Sequence, residues 1–247
     1  PIYHGFVVSA PRVAPAVCDR CPASIVYSVQ TPHGFPGLYA LPLDASAPPR
    51  RLTSRYLGNT TGVGLSTLYF DQQERRRNAG LYSDLYAFDR ARHTVRRLSH
   101  DLRLSDPDAS PDGRSLVAVR SSAGNRDLVL VAMHDSGVIT ERDVTLLAGP
   151  SEGVFNAPRF SPDGTRVVAE RHRHGRASDI VVIDLATKAV RVIASLPDTR
   201  YVTPAWRPDG QAIIAAAAEG DDVFNLVEIN LIDGTARALT HTTGGAT

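Results

Sequence analysis

The densest group of side chains able to do chemistry is Arg171-His172-Arg173-His174-Gly175-Arg176. Histidines two apart can face one side of a hairpin, and imidazoles ligate metals or carry protons near neutral pH. The three interleaved arginines oppose a metal ion, whereas guanidinium forks suit carboxylates and phosphates. Arg171, His172, His174 and Arg176 are therefore the ligand-contacting candidates, with an anion as ligand, set against a plain exposed polar loop. Glu74-Arg75-Arg76-Arg77 offers a contact for an acidic partner, or simply a solvated hairpin tip. Asp221-Asp222 has fewer carboxylates nearby than calcium needs.

Catalytic signatures are missing from the sequence. There is no Gly-x-Ser-x-Gly elbow, and Gly62-Val63-Gly64-Leu65-Ser66 has the wrong spacing for one. His-Glu-x-x-His, the Gly-x-x-x-x-Gly-Lys phosphate loop and the EF-hand pattern are also absent. Cys18 and Cys21 are the only cysteines and lie in a Pro-rich stretch, so they read as two thiols or a local disulfide. A zinc site would need a second pair. No catalytic residue, metal or cofactor is expected.

The elements that position these groups follow from a repeat. Pro107-Asp108-Ala109-Ser110-Pro111-Asp112-Gly113, Pro158-Arg159-Phe160-Ser161-Pro162-Asp163-Gly164 and Pro204-Ala205-Trp206-Arg207-Pro208-Asp209-Gly210 align without gaps. Pro111, Pro162 and Pro208 stand 51 and 46 residues apart, a spacing that suits a four-stranded propeller blade. Proline presets the first central position of a type I turn, and glycine takes the left-handed position that closes the hairpin. Asp112, Asp163 and Asp209 are expected to accept backbone N–H bonds inside these turns. Phe160 and Trp206 read as aromatics packed between blades.

Apolar runs follow each turn: Leu116-Val117-Ala118-Val119, Val167-Val168-Ala169 and Ile213-Ile214-Ala215. A polar loop and a second run come next, such as Ile180-Val181-Val182-Ile183. Such continuous runs predict strands buried on both faces. Two weaker repeats precede these, through Ile25–Val29 and Thr67–Phe70, with first strands that the sequence leaves open. Five blades are expected: 20–55, 56–100, 101–149, 150–196 and 197–241. Residues 1–19 are read as a lead-in and 242–247 as the start of a further blade.

Pro-x-Trp-Ser-Pro-Asp-Gly, an apolar strand, a strand ending in Asp, and an Arg-x-Leu-Thr close together make the TolB-type (PD40, WD40-like) propeller repeat, which this chain resembles. Asp89 and Asp184 match its strand-end Asp; Leu52-Thr53, Leu98-Ser99 and Leu239-Thr240 match its close. Ala109 and Asn230 depart from it. The resemblance covers roughly residues 20 to 240 and implies an all-β propeller of four-stranded antiparallel blades, incomplete here because such propellers have six or more. It implies an exported, periplasmic protein of the cell envelope that binds a protein or peptide, as a monomer or within a multidomain chain. The alternative is a propeller accessory to a prolyl-oligopeptidase-like or metallopeptidase-like hydrolase whose catalytic domain lies elsewhere.

Composition agrees with a globular binding protein. Hydrophobic residues are 43% and charged ones 21%, enough to fill the core of one all-β domain of 247 residues. The 27 basic and 26 acidic residues leave a net charge of +1, which favours no nucleic-acid partner. No apolar run reaches 18 residues, so no membrane insertion is expected. The chain opens on Pro1 with neither Met nor a basic leader, which reads as a piece of a longer exported protein.

Overall fold

A computed structural model describes residues 7–18, 21–30, 37–53, 60–76, 80–122, 124–135, 137–220 and 222–244. The strands group into five four-stranded antiparallel sheets. The first holds β1 (Val7–Ala14), β2 (Ser24–Gln30), β3 (Gly37–Pro42) and β4 (Arg50–Thr53). The second holds β5 (Thr61–Val63), β6 (Thr67–Arg76), β7 (Gly80–Asp89) and β8 (Thr94–Arg97). The third holds β9 (Leu104–Ala109), β10 (Ser115–Ser122), β11 (Asn125–Ala132) and β12 (Val144–Ala148). The fourth holds β13 (Val154–Phe160), β14 (Arg166–His172), β15 (Asp179–Asp184) and β16 (Val190–Ala194). The fifth holds β17 (Thr199–Trp206), β18 (Ala212–Glu219), β19 (Asn225–Asn230) and β20 (Ala236–Ala238). Strands within each sheet are neighbours in chain order, which is the meander of a propeller blade. Among the described residues the only helical turn is Glu141–Asp143.

The chain divides into two compact units. One comprises 1–109, 113–118 and 131–144, the other 110–112, 119–130 and 145–247. In the first unit, Val26, Leu38, Leu68, Phe70, Tyr86 and Phe88 form one core, with Phe70 and Tyr86 stacked at 5.7 Å. In the second, Val168, Ile180, Val182 and Ile193 of the fourth sheet meet Ile213, Ala215, Ile229 and Leu231 of the fifth. Each such side chain contributes about 1.5–3 kcal/mol by leaving water. In the fourth sheet Val167, Val168, Ala169, Ile180, Val181, Val182 and Ile183 are buried on both faces, which is why those runs are continuous, whereas in the fifth Ile214 and Val227 are only half-buried.

The Pro-Asp-Gly corners join β9 to β10, β13 to β14 and β17 to β18. Gly113, Gly164 and Gly210 have φ of 72°, 72° and 69°, the left-handed region where a Cβ is costly. Gly164 N donates to Ser161 O at 2.9 Å, closing the turn. Asp163 Oδ1 accepts from Thr165 N at 3.0 Å and from Ser161 Oγ at 2.5 Å. Asp209 Oδ1 accepts from Gln211 N at 3.0 Å. In the first corner, Ser110 Oγ donates to Asp112 Oδ1 at 2.6 Å.

The proline that opens each repeat has a second role. Asp106, Ala157 and Thr203, each just before that proline, have φ of 52°, 45° and 50°. The β13–β14 register skips between Asn156 and Arg159, and the β17–β18 register between Val202 and Ala205. Proline cannot donate to a ladder, so a bulge takes it out of the pairing. The β1–β2 register skips in the same way between Ser9 and Arg12, around Ala10-Pro11. Ala10-Pro11-Arg12 thus parallels Ala157-Pro158-Arg159. β1 falls within the stretch read from sequence as a lead-in, and it is the first strand of the first sheet.

Cys18 and Cys21 form a disulfide with Cα atoms 4.9 Å apart, which settles the two readings of that pair. The buried Arg90 guanidinium donates to Pro15 O and, at 3.0 Å, to Pro22 O, holding the loop that carries it. Thr242 N donates to Asn225 Oδ1 at 2.7 Å, so Thr242 docks on the fifth sheet.

Two measurements test the corners. Gly113→Ala has open space for its methyl group and should lose about 1 kcal/mol from the left-handed backbone alone. Gly164→Ala should lose more, because the added Cβ sits 3.3 Å from Pro111 Cδ; urea melts of both variants check the order. The Ser161 hydroxyl and the Thr165 N–H hold the Asp163 carboxyl down at about 2. Its stabilisation is therefore complete above the pKa of an unfolded Asp and fades as pH falls towards about 2. The stability deficit of Asp163→Ala should narrow over that acid range, read from urea midpoints at successive pH values.

Candidate functional site

The arginine-histidine cluster is built on the β14–β15 hairpin, and the structure separates its members. Arg171 lies in β14 directly opposite Asp179 of β15. Its Nε donates to Asp179 Oδ1 at 2.9 Å and its Nη2 to Oδ2 at 2.8 Å, a bidentate fork. Arg173 Nη2 adds a third bond to Oδ2 at 2.7 Å. The side chains of Arg171 and Asp179 are 5% and 1% exposed, so this ion pair is internal. Arg171 is thus a buried anchor and not the solvent-facing loop cation that the sequence suggests. Local sequence shows the charge but not the partner eight residues on.

His172 bonds through Nε2 to Oε1 of the buried Glu170, which raises the imidazole pKa. The other oxygen, Glu170 Oε2, accepts from Thr203 N at 3.3 Å, next to the bulge in β17. Ser178 Oγ donates to Tyr201 O at 2.7 Å and accepts from Tyr201 N at 3.0 Å. The loop between the two strands is therefore tied down at both ends. His174 and Arg176, with Gly175 between them at φ 69°, are exposed at its tip. Of the other loops singled out from sequence, Arg75 and Arg76 end β6 opposite Leu81 and Gly80. Arg77 and Asp221 lie outside the described residues. No group of three or more His, Cys, Asp or Glu able to hold a metal occurs among the described residues.

Asp179 has counterparts in other sheets. Midway along β7, Asp84 accepts from Arg97 Nη2 at 2.6 Å, Ser99 Oγ at 2.9 Å and Asp101 N at 3.2 Å. Ser99 Oγ in turn accepts from Leu85 N at 2.9 Å. At the start of β19, Asn225 Oδ1 accepts from Thr240 Oγ1 at 3.0 Å, and Thr240 Oγ1 accepts from Leu226 N at 2.9 Å. In the second and fifth sheets the Leu-Ser/Thr close is therefore a hydroxyl clasp on a polar residue of the third strand. The fourth sheet lacks that hydroxyl and supplies Arg171 from its second strand instead. In the third sheet, burial raises the Asp127 pKa, with the Arg120 charge opposing it.

A second group, not singled out from sequence, lies at the Pro-Asp-Gly end of the fourth and fifth sheets. A cleft of about 460 Å³ is lined by Arg166, Arg207, Gln211, Glu228, Ile232 and Arg237, among others. Arg207 Nη1 donates to Glu228 Oε1 at 2.6 Å, and its Nη2 to Asp209 Oδ2 at 2.6 Å. Arg237, directly across the ladder from Glu228, donates from Nη2 to Oε2 at 2.5 Å. These bonds lower the Glu228 pKa, Arg237 first and Arg207 second. The Arg166 guanidinium lies 4.8 Å from the centre of the Trp206 ring, and Trp206 Nε1 donates to Arg159 O at 3.0 Å. Two sequence anomalies mark this site. Arg207 stands where the other corners have serine, and Glu228 interrupts the apolar run Leu226-Val227-Glu228-Ile229.

Five four-stranded blades of this kind define a β-propeller, and its fold is that of the TolB-type propellers. TolB from Acinetobacter baumannii superposes with a TM-score of 0.76 at 16% identity, over 97% of this chain and 55% of that one. A TolB described as putative, from Agrobacterium tumefaciens, gives 0.74 at 20% identity, over 95% of this chain and 80% of that one. A puromycin-hydrolyzing peptidase from Mycobacterium tuberculosis gives 0.60 at 16% identity, over 96% of this chain and 39% of that one. The chain thus spans about half the length of the Acinetobacter protein. No protein-family model matches it, and no curated protein matches it by sequence.

Removing Asp179 leaves two guanidiniums without their shared carboxylate. Asp179→Ala should destabilise the protein by about 3–5 kcal/mol, as breaking a buried pair does. Urea denaturation measures the loss, and faster proteolysis between Arg173 and Ser178 should accompany it.

Proposed function

We propose that this propeller is a non-catalytic binding and scaffold module of a bacterial cell-envelope protein, engaging a protein or peptide partner. The observation that carries the reading is the preset loop between β14 and β15. Its base is fixed by the internal Arg171–Asp179 pair, while His174 and Arg176 face solvent. Ordering a loop in advance lowers the entropic cost of association, and loops on a rigid frame are where recognition concentrates. Arg176 and His174 would meet anionic groups of the partner; Arg171 and His172 would act by holding them in place.

The TolB likeness supports the same reading, with TM-scores of 0.76 and 0.74 against 0.60 for the Mycobacterium peptidase. Propellers host unrelated roles, so the fold by itself carries less weight than the loop. The envelope location rests on the TolB-type repeat. No helix among the described residues is long and apolar enough to cross a membrane.

Immobilised chain incubated with envelope extract should retain one or a few proteins reproducibly, and Arg176→Glu should reduce their yield several-fold. Retention that matches a denatured-chain control would reject the binding role. So would turnover of peptide substrates by the purified chain.

A further inference from the structure

We propose that the cleft beside Trp206 is a docking site for an acidic peptide segment of a partner protein, one in which carboxylates alternate with aliphatic side chains. The proposal deepens the binding-module reading and rests on it. Three guanidiniums and a single carboxylate line the cleft, and that carboxylate, Glu228, is already held by two of them. Asp163 and Asp209 are not part of the lining; their side chains, 54% and 46% exposed, pair with Arg166 and Arg207.

The unused donors point to the ligand. Of Arg166, the Nη2 group is engaged, with Gly210 O at 3.4 Å and Asp163 Oδ2 at 3.7 Å. Of Arg237, whose side chain is 74% exposed, the Nη2 group is engaged with Glu228. Each guanidinium keeps Nε and its other terminal nitrogen for an incoming carboxylate, and a planar fork binds carboxylate with two parallel bonds. The Trp206 ring lies against the Arg166 guanidinium and restricts it, so less side-chain entropy remains to be lost on binding.

The apolar half of the recognition comes from the β19–β20 turn. Ile232 is 92% exposed, a large aliphatic group almost wholly in water, while the neighbouring Leu231 is buried in the core of the second unit. Asp233 Oδ1 accepts from Thr235 N at 2.9 Å, and Gly234 N donates to Asn230 O at 3.0 Å, so the turn that displays Ile232 is internally bonded. A phosphate or a lone carboxylate would leave Ile232 in water. A peptide that places an aliphatic side chain beside its carboxylates covers both.

The test is fluorescence anisotropy with a labelled (Asp-Leu)3 hexapeptide and the full chain at low salt. Binding should weaken at least tenfold with Arg237→Glu and with Arg237→Gln, and at least fivefold with Ile232→Asp. It should weaken again when salt is raised, and the (Asn-Leu)3 peptide should not bind. Arg92→Glu, a charge reversal at a side chain 79% exposed in the first unit, should bind like the parent. The altered side chains are exposed, and matching melting temperatures confirm that the variants fold. No binding by the parent chain overturns the proposal, as does binding that survives either cleft substitution. An equal loss with Arg92→Glu also overturns it, because the attraction would then be diffuse. In each of these cases the binding-module reading stands if envelope proteins are still retained by the chain, so the two failures are distinguishable.

Discussion

Polar side chains in the third strands of the second, fourth and fifth sheets are held by side-chain hydrogen bonds, and much of those sheets is arranged around these contacts. Strands packed on both faces exclude water, so an unmet carboxylate there costs several kcal/mol. Asp84 and Asn225 meet a hydroxyl from the end of the fourth strand. That bond draws the outermost strand onto its neighbour and fixes where the sheet ends. Asp179 takes the other solution, a guanidinium from the strand beside it. In the second sheet Arg97 joins the hydroxyl on Asp84, whereas in the fourth Arg171 and Arg173 hold Asp179 and stiffen the hairpin whose tip carries His174 and Arg176.

The same balance shapes the two ends of the second unit. At the β14–β15 loop, charge is spent inside the protein: two arginines satisfy one aspartate, and Glu170 ties His172 to the backbone of β17. At the Pro-Asp-Gly end, charge remains near the surface. Arg207 and Arg237 share Glu228 in a lattice that is partly wet, where each bond is worth less; Arg207 spends all three nitrogens on Asp209 and Glu228, while Arg237 engages only Nη2. Replacing the serine of the corner by Arg207 converts a local turn cap into a link between the corner and β19. A repeat that is structurally conservative can in this way carry a different surface on one blade without disturbing its corner.

Backbone strain is distributed just as regularly. The residue before each repeat proline sits at positive φ, although none of Asp106, Ala157 and Thr203 is glycine. Such conformations cost about 1 kcal/mol or more each and persist where surrounding pairing over-determines them. Here the flanking ladder pairs supply that constraint. The bulge lets a proline stand in a first strand without leaving an unmade ladder bond.

Sequence by itself determined the blades. The Pro-Asp-Gly corners, the period and the doubly buried runs are local signals, since turn chemistry and strand burial act over a few residues. It marked the departures at Ala109 and Asn230 but passed over Arg207 and Glu228, which pair with each other from distant parts of the chain. Tertiary structure decided which charges are internal and which are free. Arg171 and Arg176 are five residues apart and identical in chemistry, yet Asp179 across the hairpin removes one from solvent and leaves the other exposed. It likewise decided that Ala10-Pro11 begins a blade, because a bulge is defined by its partner strand. Pairing across a sheet depends on residues distant in the chain, and no reading of one segment contains that information.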